Sequence, residues 1–188
     1  MTLAGAAKLI LITGIMAAGK SSVSEHLARR LPKSVHLRGD LFRRMIVNGR
    51  VDMTPDPSLE ARTQLALRYR IAASVAKAYV AAGFDVVYQD VLLGTYLAEV
   101  IELLRPLELH VVVLCPSAEV VARRETERKK RGYGAFTPAD LDRVLREETA
   151  PVGLWLDTSS QTLDETVESI LSRLDEARLP VSTLRPSE

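Results

Sequence analysis

The stretch TGIMAAGKSS, Thr13 to Ser22, decides how this chain is read. Gly14 is followed by four residues and then by Gly19, Lys20 and Ser21. That is the phosphate-loop spacing, which requires a strand before it and a helix after it. A loop that wraps phosphates must aim backbone N–H groups inward, and glycine permits the backbone angles this needs. The following helix adds the positive end of its dipole. Both flanks fit. KLILIT, Lys8 to Thr13, is a short apolar, β-branched run of the kind that forms a buried parallel strand. After the loop, Val23, Leu27 and Leu31 recur every four residues, with Ala28 beside them, and Pro32 stops the helix. Gly14, Ala17, Ala18, Gly19, Lys20, Ser21 and Ser22 are therefore the expected phosphate contacts. Lys20 reaches the outer phosphates of ATP, and the Ser21 hydroxyl is a Mg²⁺ ligand.

The rest of the chain alternates in the same way. SVHL at 34–37 reads as a second strand, and a short helix, LFRRMIVN, follows Asp40. GRVDMTPDPS is a loop rich in Gly, Pro and Asp. A long helix follows from about Leu59 to Ala82, with Leu65, Tyr69, Ala72, Ala76, Tyr79 and Val80 on its apolar face and Gly83 closing it. FDVVYQ at 84–89 is a third strand ending at Asp90, TYLAEVIELLR a helix ended by Pro106, and LELHVVVLC at 107–115 a fourth strand. SAEVVARRETERKKRG is a basic helix, and TPADLDRVLREET is another, capped by Thr137 with Pro138 in its first turn. GLWLDT is a fifth strand, and TLDETVESILSRLDEA is the last helix, with Thr162 and Glu165 at its start. Strand alternating with helix predicts an α/β chain with a five-stranded parallel sheet covered on both faces and ligands at the strands' C-terminal ends. The phosphate loop, Asp40, Asp90 and Asp157 all fall at such ends.

Composition sets the bounds. A chain of 188 residues, 47% of them hydrophobic, can bury the core of one domain. With 25 basic and 24 acidic residues, its balanced charge offers no global reason to expect nucleic acid or an anionic membrane as partner. No secretory signal or spanning segment is legible, and one cysteine, Cys115, suits a reducing compartment. The expected location is the cytoplasm. Oligomeric state is not legible. The tail from about 179 to 188 is expected to be loosely held.

Three features separate a kinase from the other phosphate-loop classes. There is no Asn-Lys-x-Asp segment to read guanine, and no glutamate beside Asp90 to activate water. Asp40, in HLRGDLFRR, can accept the proton of an acceptor hydroxyl, although a helix N-cap is its plainer role. One of Arg43 and Arg44 faces the cleft to hold the substrate. Asp90, at a strand end, holds either Mg²⁺ or the acceptor. Six basic residues lie between Arg123 and Arg131, and Arg124, Arg128 and Arg131 share a helix face. A cationic helix hinged at Gly132 and Gly134 can close over phosphates as a lid, about 123–137. The plainer role for this stretch is a solvated helix.

GIMAAGKSS, LRGDLF, VVYQDVLLG and LCPSAEVVARRETERKKRG, in that order, resemble the chloramphenicol phosphotransferase-like group of small phosphate-loop kinases. Similar segments occur in gluconate, adenylylsulfate and polynucleotide kinases and in zeta toxins. The resemblance spans roughly residues 8 to 175. It implies a single three-layer α/β/α P-loop kinase domain with a helical lid, which moves the γ-phosphoryl of ATP, with Mg²⁺, to a hydroxyl of a small molecule. Within it Lys20, Asp40 and Arg128 match catalytic positions. Arg124 matches a residue near the nucleotide base, and Thr158 lies in the loop beside that base. The sequence departs from the family at Gln89-Asp90, where relatives often carry two acidic residues. Chloramphenicol is one candidate acceptor, and a metabolite is another. The competing readings are a kinase of a nucleic-acid end or nucleotide-sugar, and a zeta-toxin-like or regulatory ATP-binding protein.

Overall fold

Five short apolar runs build the sheet: β1 (Leu9–Thr13), β2 (Ser34–Arg38), β3 (Asp85–Gln89), β4 (Leu109–Leu114) and β5 (Leu154–Leu156). The structure, a computed structural model, describes residues 7–127 and 135–180. All the strand pairings are parallel, in the order β2-β3-β1-β4-β5. Every residue of β1 and β4 is buried, whereas the edge strand β2 buries only Leu37. Central strands of a parallel sheet are covered on both faces, so they read as continuous apolar runs rather than alternating ones.

The helices are α1 (Lys20–Arg30), α2 (Asp40–Arg44), α3 (Leu59–Ala81), α4 (Thr95–Leu104), α5 (Ala118–Glu127), α6 (Pro138–Arg143) and α7 (Leu163–Ser172). The α1 helix packs on α7 and the α3 helix on α4, and both α1 and α3 lie against β2 and β3. On α1 the buried positions Val23, Leu27 and Ala28 are those the spacing predicts. On α3 they are Ala61, Tyr69, Ala72, Ala73 and Ala76. Tyr79, expected on that face, is 40% exposed and packs edge-on against Phe84 instead. Alanines along this face let the helix lie close to the sheet.

The termini of the later helices follow local chemistry. Thr137 and Asp140 form a reciprocal capping box on α6, and Thr162 and Glu165 form one on α7. The helix expected over 137–149 stays α-helical only to Arg143 and continues as a π-helical turn, Val144–Glu148. The Thr149 hydroxyl at its end donates to the Val144 carbonyl (2.9 Å) and accepts from the Gly94 N–H (2.8 Å). It thereby ties this turn to the loop after β3. Part of the expected loose tail is docked. The Leu179 N–H donates to the Leu109 carbonyl (2.8 Å), and the Val111 N–H donates to Ala177 (2.8 Å). No helix among the described residues is long and apolar enough to cross a membrane.

Candidate active site

The order β2-β3-β1-β4-β5 places β1 at the centre, with later strands added on either side of it. A crevice opens at the carboxyl end of such a strand, and the 13–22 stretch fills it. Thr13, the last residue of β1, exchanges hydrogen bonds with the backbone of Leu92 (2.9 Å each way) and so anchors the loop after β3 to the phosphate loop. Gly14 has φ +142°, and a Cβ there would lie 2.4 Å from the Leu114 carbonyl oxygen. Only glycine lets the loop turn this close to the end of β4. Gly19 (φ +97°) hands the chain to α1, whose N-terminal N–H groups therefore open into the cleft. Lys20 is buried, and its Nζ donates to the Gly14 (2.8 Å) and Ile15 (2.7 Å) carbonyls. The ammonium is thus held across the loop it is expected to serve.

A cleft of about 500 Å³ runs along this loop. Residues 16–23, Asp40, Val91, Arg124, Thr158 and Gln161 line it, and since Asp40 follows β2 and Thr158 follows β5, these two stand toward opposite edges of the sheet. Arg124 reaches across, with Nη1 3.4 Å from the Ala18 carbonyl oxygen and Nη2 3.3 Å from that of Thr158. The helix α5 and the loop after β5 are thus joined over the phosphate loop by one guanidinium. The structure brings together Ala17, Ala18, Gly19, Lys20, Ser21, Ser22, Asp40, Arg124 and Thr158 on this cleft. Gly14 contributes its backbone behind it. Arg128 and the rest of 128–134, the middle of the expected lid, lie outside the described residues.

Asp40 occupies the first turn of α2, with Gly39 at the cap position, and its carboxylate bonds Arg44 rather than a backbone N–H. The plain N-cap reading therefore does not describe it. Its Oδ2 accepts from Arg44 (2.6 Å), one turn along, and Arg38 Nε stands 3.5 Å from Oδ1. Of the two arginines left open by the sequence, Arg44 attends Asp40, while Arg43 turns away to pair with Asp52. Arg38 was not singled out by sequence. Its signal was its place in β2, two residues before Asp40. His36 shares the Arg38 side of that strand. Burial, with Arg38 adding to it, pushes its imidazole below the ordinary value, so it is neutral at pH 7.

Asp90 has a partner that its sequence neighbourhood does not suggest. Expected as a ligand of Mg²⁺ or the acceptor, it lies under Gly39 and is paired with Arg68 of α3. Arg68 Nε donates to Oδ2 (3.0 Å) and Nη2 donates to Oδ1. The Val91 N–H also donates to Oδ1 (2.7 Å), and the Tyr88 hydroxyl to Oδ2 (3.4 Å). Both carboxylate oxygens are thus held by Arg68, with the Val91 N–H as a further donor. The Asp90 side chain is 1% exposed and that of Arg68 13%. Burial lowers the Arg68 pKa from its ordinary value, but an arginine retains its charge. Arg68 escaped the sequence reading because it sits among the apolar positions of α3. A charge beside Leu65, Tyr69 and Ala72 was the available signal.

Ser21 donates not to Asp90 but to Gln89 Oε1 (3.2 Å). Among the described residues no three His, Cys, Asp or Glu side chains are grouped to hold a metal. Ser21 Oγ and Gln89 Oε1 are nevertheless neutral oxygen donors of the hard kind Mg²⁺ accepts. They fit a metal that takes its remaining ligands from phosphates and water.

Gly39 has an ordinary φ of −63°, so its smallness serves a close approach. A Cβ there would lie 1.9 Å from Asp90 Oδ2, 2.7 Å from its Cγ and 3.2 Å from Tyr88 Cε2. Gly39→Ala is therefore expected to displace the carboxylate from Arg68. The expected destabilisation is about 1–3 kcal/mol, the usual cost of overpacking a buried site, read by chemical denaturation. An unchanged midpoint would show that the carboxylate lies elsewhere.

Sheet, loop and cleft together define a P-loop phosphotransferase. The chain belongs to the chloramphenicol phosphotransferase-like protein family, whose model matches residues 7–175. Solved structures share the fold. A tunicamycin resistance protein from Deinococcus radiodurans is 18% identical with TM-score 0.68, over 93% of this chain and 99% of that one. The Mycobacterium tuberculosis APS kinase CysC, solved with AMPPNP and APS, is 19% identical with TM-score 0.67, over 90% and 98%. A gluconokinase from Sinorhizobium meliloti 1021 is 25% identical with TM-score 0.60, over 90% and 93%. No curated protein matches the chain in sequence.

Proposed function

We propose that this protein transfers the γ-phosphoryl group of ATP to a hydroxyl of a small molecule, with Asp40 as the base. The observation that carries the reading is the single cleft shared by the phosphate loop, Asp40, Arg124 and Thr158, with Asp40 and Thr158 toward opposite edges of the sheet. A triphosphate laid along residues 16–22 directs its γ-phosphate toward Asp40 and the base toward Thr158. Asp40 orients the acceptor hydroxyl and takes its proton as the new P–O bond forms, and ADP departs. Lys20 leaves the Gly14 and Ile15 carbonyls to follow the phosphoryl charge. Ser21, with Gln89 behind it, would hold Mg²⁺, which neutralises phosphate charge. Arg124 and, on the lid, Arg128 add cations over the nucleotide. The same reading places the chain in the cytoplasm, where ATP is supplied.

The test is acceptor-dependent release of ADP from ATP across a panel of hydroxylated small molecules, chloramphenicol and sugars included. Nucleotide binding without stimulation by any acceptor would turn the reading toward a regulatory ATP-binding protein. Lys20→Ala is expected to lower kcat by about 10²–10³, the cost of one lost transition-state contact. Normal kcat in that variant would overturn the role given to the loop.

A further inference from the structure

We propose that the acceptor carries an anionic group, a carboxylate or a phosphate, which Arg38, Arg44 and Arg68 hold beside Asp40. The inference rests on the kinase reading above and goes beyond it to the charge of the substrate.

Ion pairs formed by β2, α2, the loop after it, α3 and the end of β3 join five arginines to three aspartates, of which Asp40 lines the cleft. Asp40 is shared by Arg38 and Arg44, Asp52 by Arg43 and Arg50, and Asp90 is taken by Arg68. This set carries a surplus of two positive charges, although the whole chain carries only +1. A carboxylate shared between two guanidiniums compensates neither fully, and partly desolvated cations favour a further anion.

The pairs nearest the base are also the ones that yield. Arg38 Nε and Asp40 Oδ1 are both buried, stand 3.5 Å apart and have no hydrogen-bond partner. Charge alone holds them, without the directional bond that makes a guanidinium–carboxylate pair strong. Arg44 is half exposed and can swing. Arg68 cannot, because Asp90 grips its Nε and Nη2. That grip leaves other donors of its five-donor fork for a ligand. Gly39, next to Asp40 in the chain, lies against Asp90 Oδ2, the oxygen that Arg68 Nε holds at 3.0 Å, so Arg68 is a near neighbour of the base.

This arrangement links recognition to chemistry. An anionic group that draws Arg38 and Arg44 away leaves Asp40 free to accept the hydroxyl proton. A neutral acceptor leaves the base paired with both.

The experiment measures binding rather than turnover, with a non-hydrolysable ATP analogue filling the nucleotide cleft. Matched compounds are titrated calorimetrically: glycerol, glycerate and glycerol phosphate, then sorbitol, gluconate and glucose 6-phosphate. The anionic members are expected to bind at least tenfold more tightly than their neutral partners, and the preference should shrink as salt rises. The carboxylate and phosphate arms tell which anion is held. Arg38→Gln with Arg44→Gln is expected to bring each pair to parity, and Arg44→Lys to retain the preference. Equal behaviour of neutral and anionic members, absence of binding by both included, would overturn the proposal. So would a preference that survives the double substitution. An anion preference in a protein that releases no ADP with any acceptor would overturn the kinase reading, and with it the acceptor named here, and leave an anion site formed by the same arginines.

Discussion

Asparagine at position 40 is expected to lower kcat by about 10²–10⁴, the span for a lost general base, while folding and ATP binding change little. The substitution keeps the side chain's shape and removes its ability to take a proton. It also weakens the contacts to Arg38 and Arg44. Those side chains are 37% and 48% exposed, and ion pairs so exposed are worth about 0–1 kcal/mol. A small change in melting temperature is therefore the control, measured with and without ATP. The Asp40 carboxylate bonds Arg44 rather than a backbone N–H, so a lost cap cannot explain a fall in rate. Full phosphotransfer by a folded Asp40→Asn protein would remove Asp40 from the chemistry. Asp90 would then be the next residue to test as the base, with its Arg68 pair as the cost of recruiting it.

Asp90→Asn carries the second large effect, on stability rather than rate. It leaves the Arg68 guanidinium buried without its counter-charge, and breaking such a pair from one side costs about 3–5 kcal/mol. Chemical denaturation should show the loss directly. A metal ligand predicts the opposite pattern, with little change in stability and a raised Mg²⁺ requirement for activity. A variant of wild-type stability that needed more Mg²⁺ would restore Asp90 to the metal. Replacing both partners, Asp90→Asn with Arg68→Met, should recover part of the loss, because the uncompensated charge is removed.

These two aspartates show how far the sequence can be read. Each follows a β-strand and falls at the sheet's carboxyl end, where the sequence reads Asp40 as the base and Asp90 as a ligand of Mg²⁺ or the acceptor. Asp40 stands on the cleft because Gly39 and the first turn of α2 hold it there, with partners from its own neighbourhood. Asp90 is paired instead with a residue 22 positions earlier, on a helix whose position against β3 is set by packing. Nothing in VVYQDVLLG carries that information. Arg43 and Arg44 are adjacent and chemically alike, so only the direction of each side chain from α2 separates the one on Asp40 from the one on Asp52.

By itself the sequence determined the phosphate loop, the strand–helix alternation, the caps at Thr137 and Thr162 and the place of Asp40. Each is set by residues within a turn or two of one another, through backbone angles, side-chain period and capping bonds. The tertiary structure alone decided that Asp90 serves Arg68, that Ser21 faces Gln89, that Arg124 spans from Ala18 to Thr158, and that Thr149 bends the 144–148 turn toward Gly94. Those contacts join residues far apart in the chain, and a polar group in a buried site takes whichever partner the packed elements bring within reach.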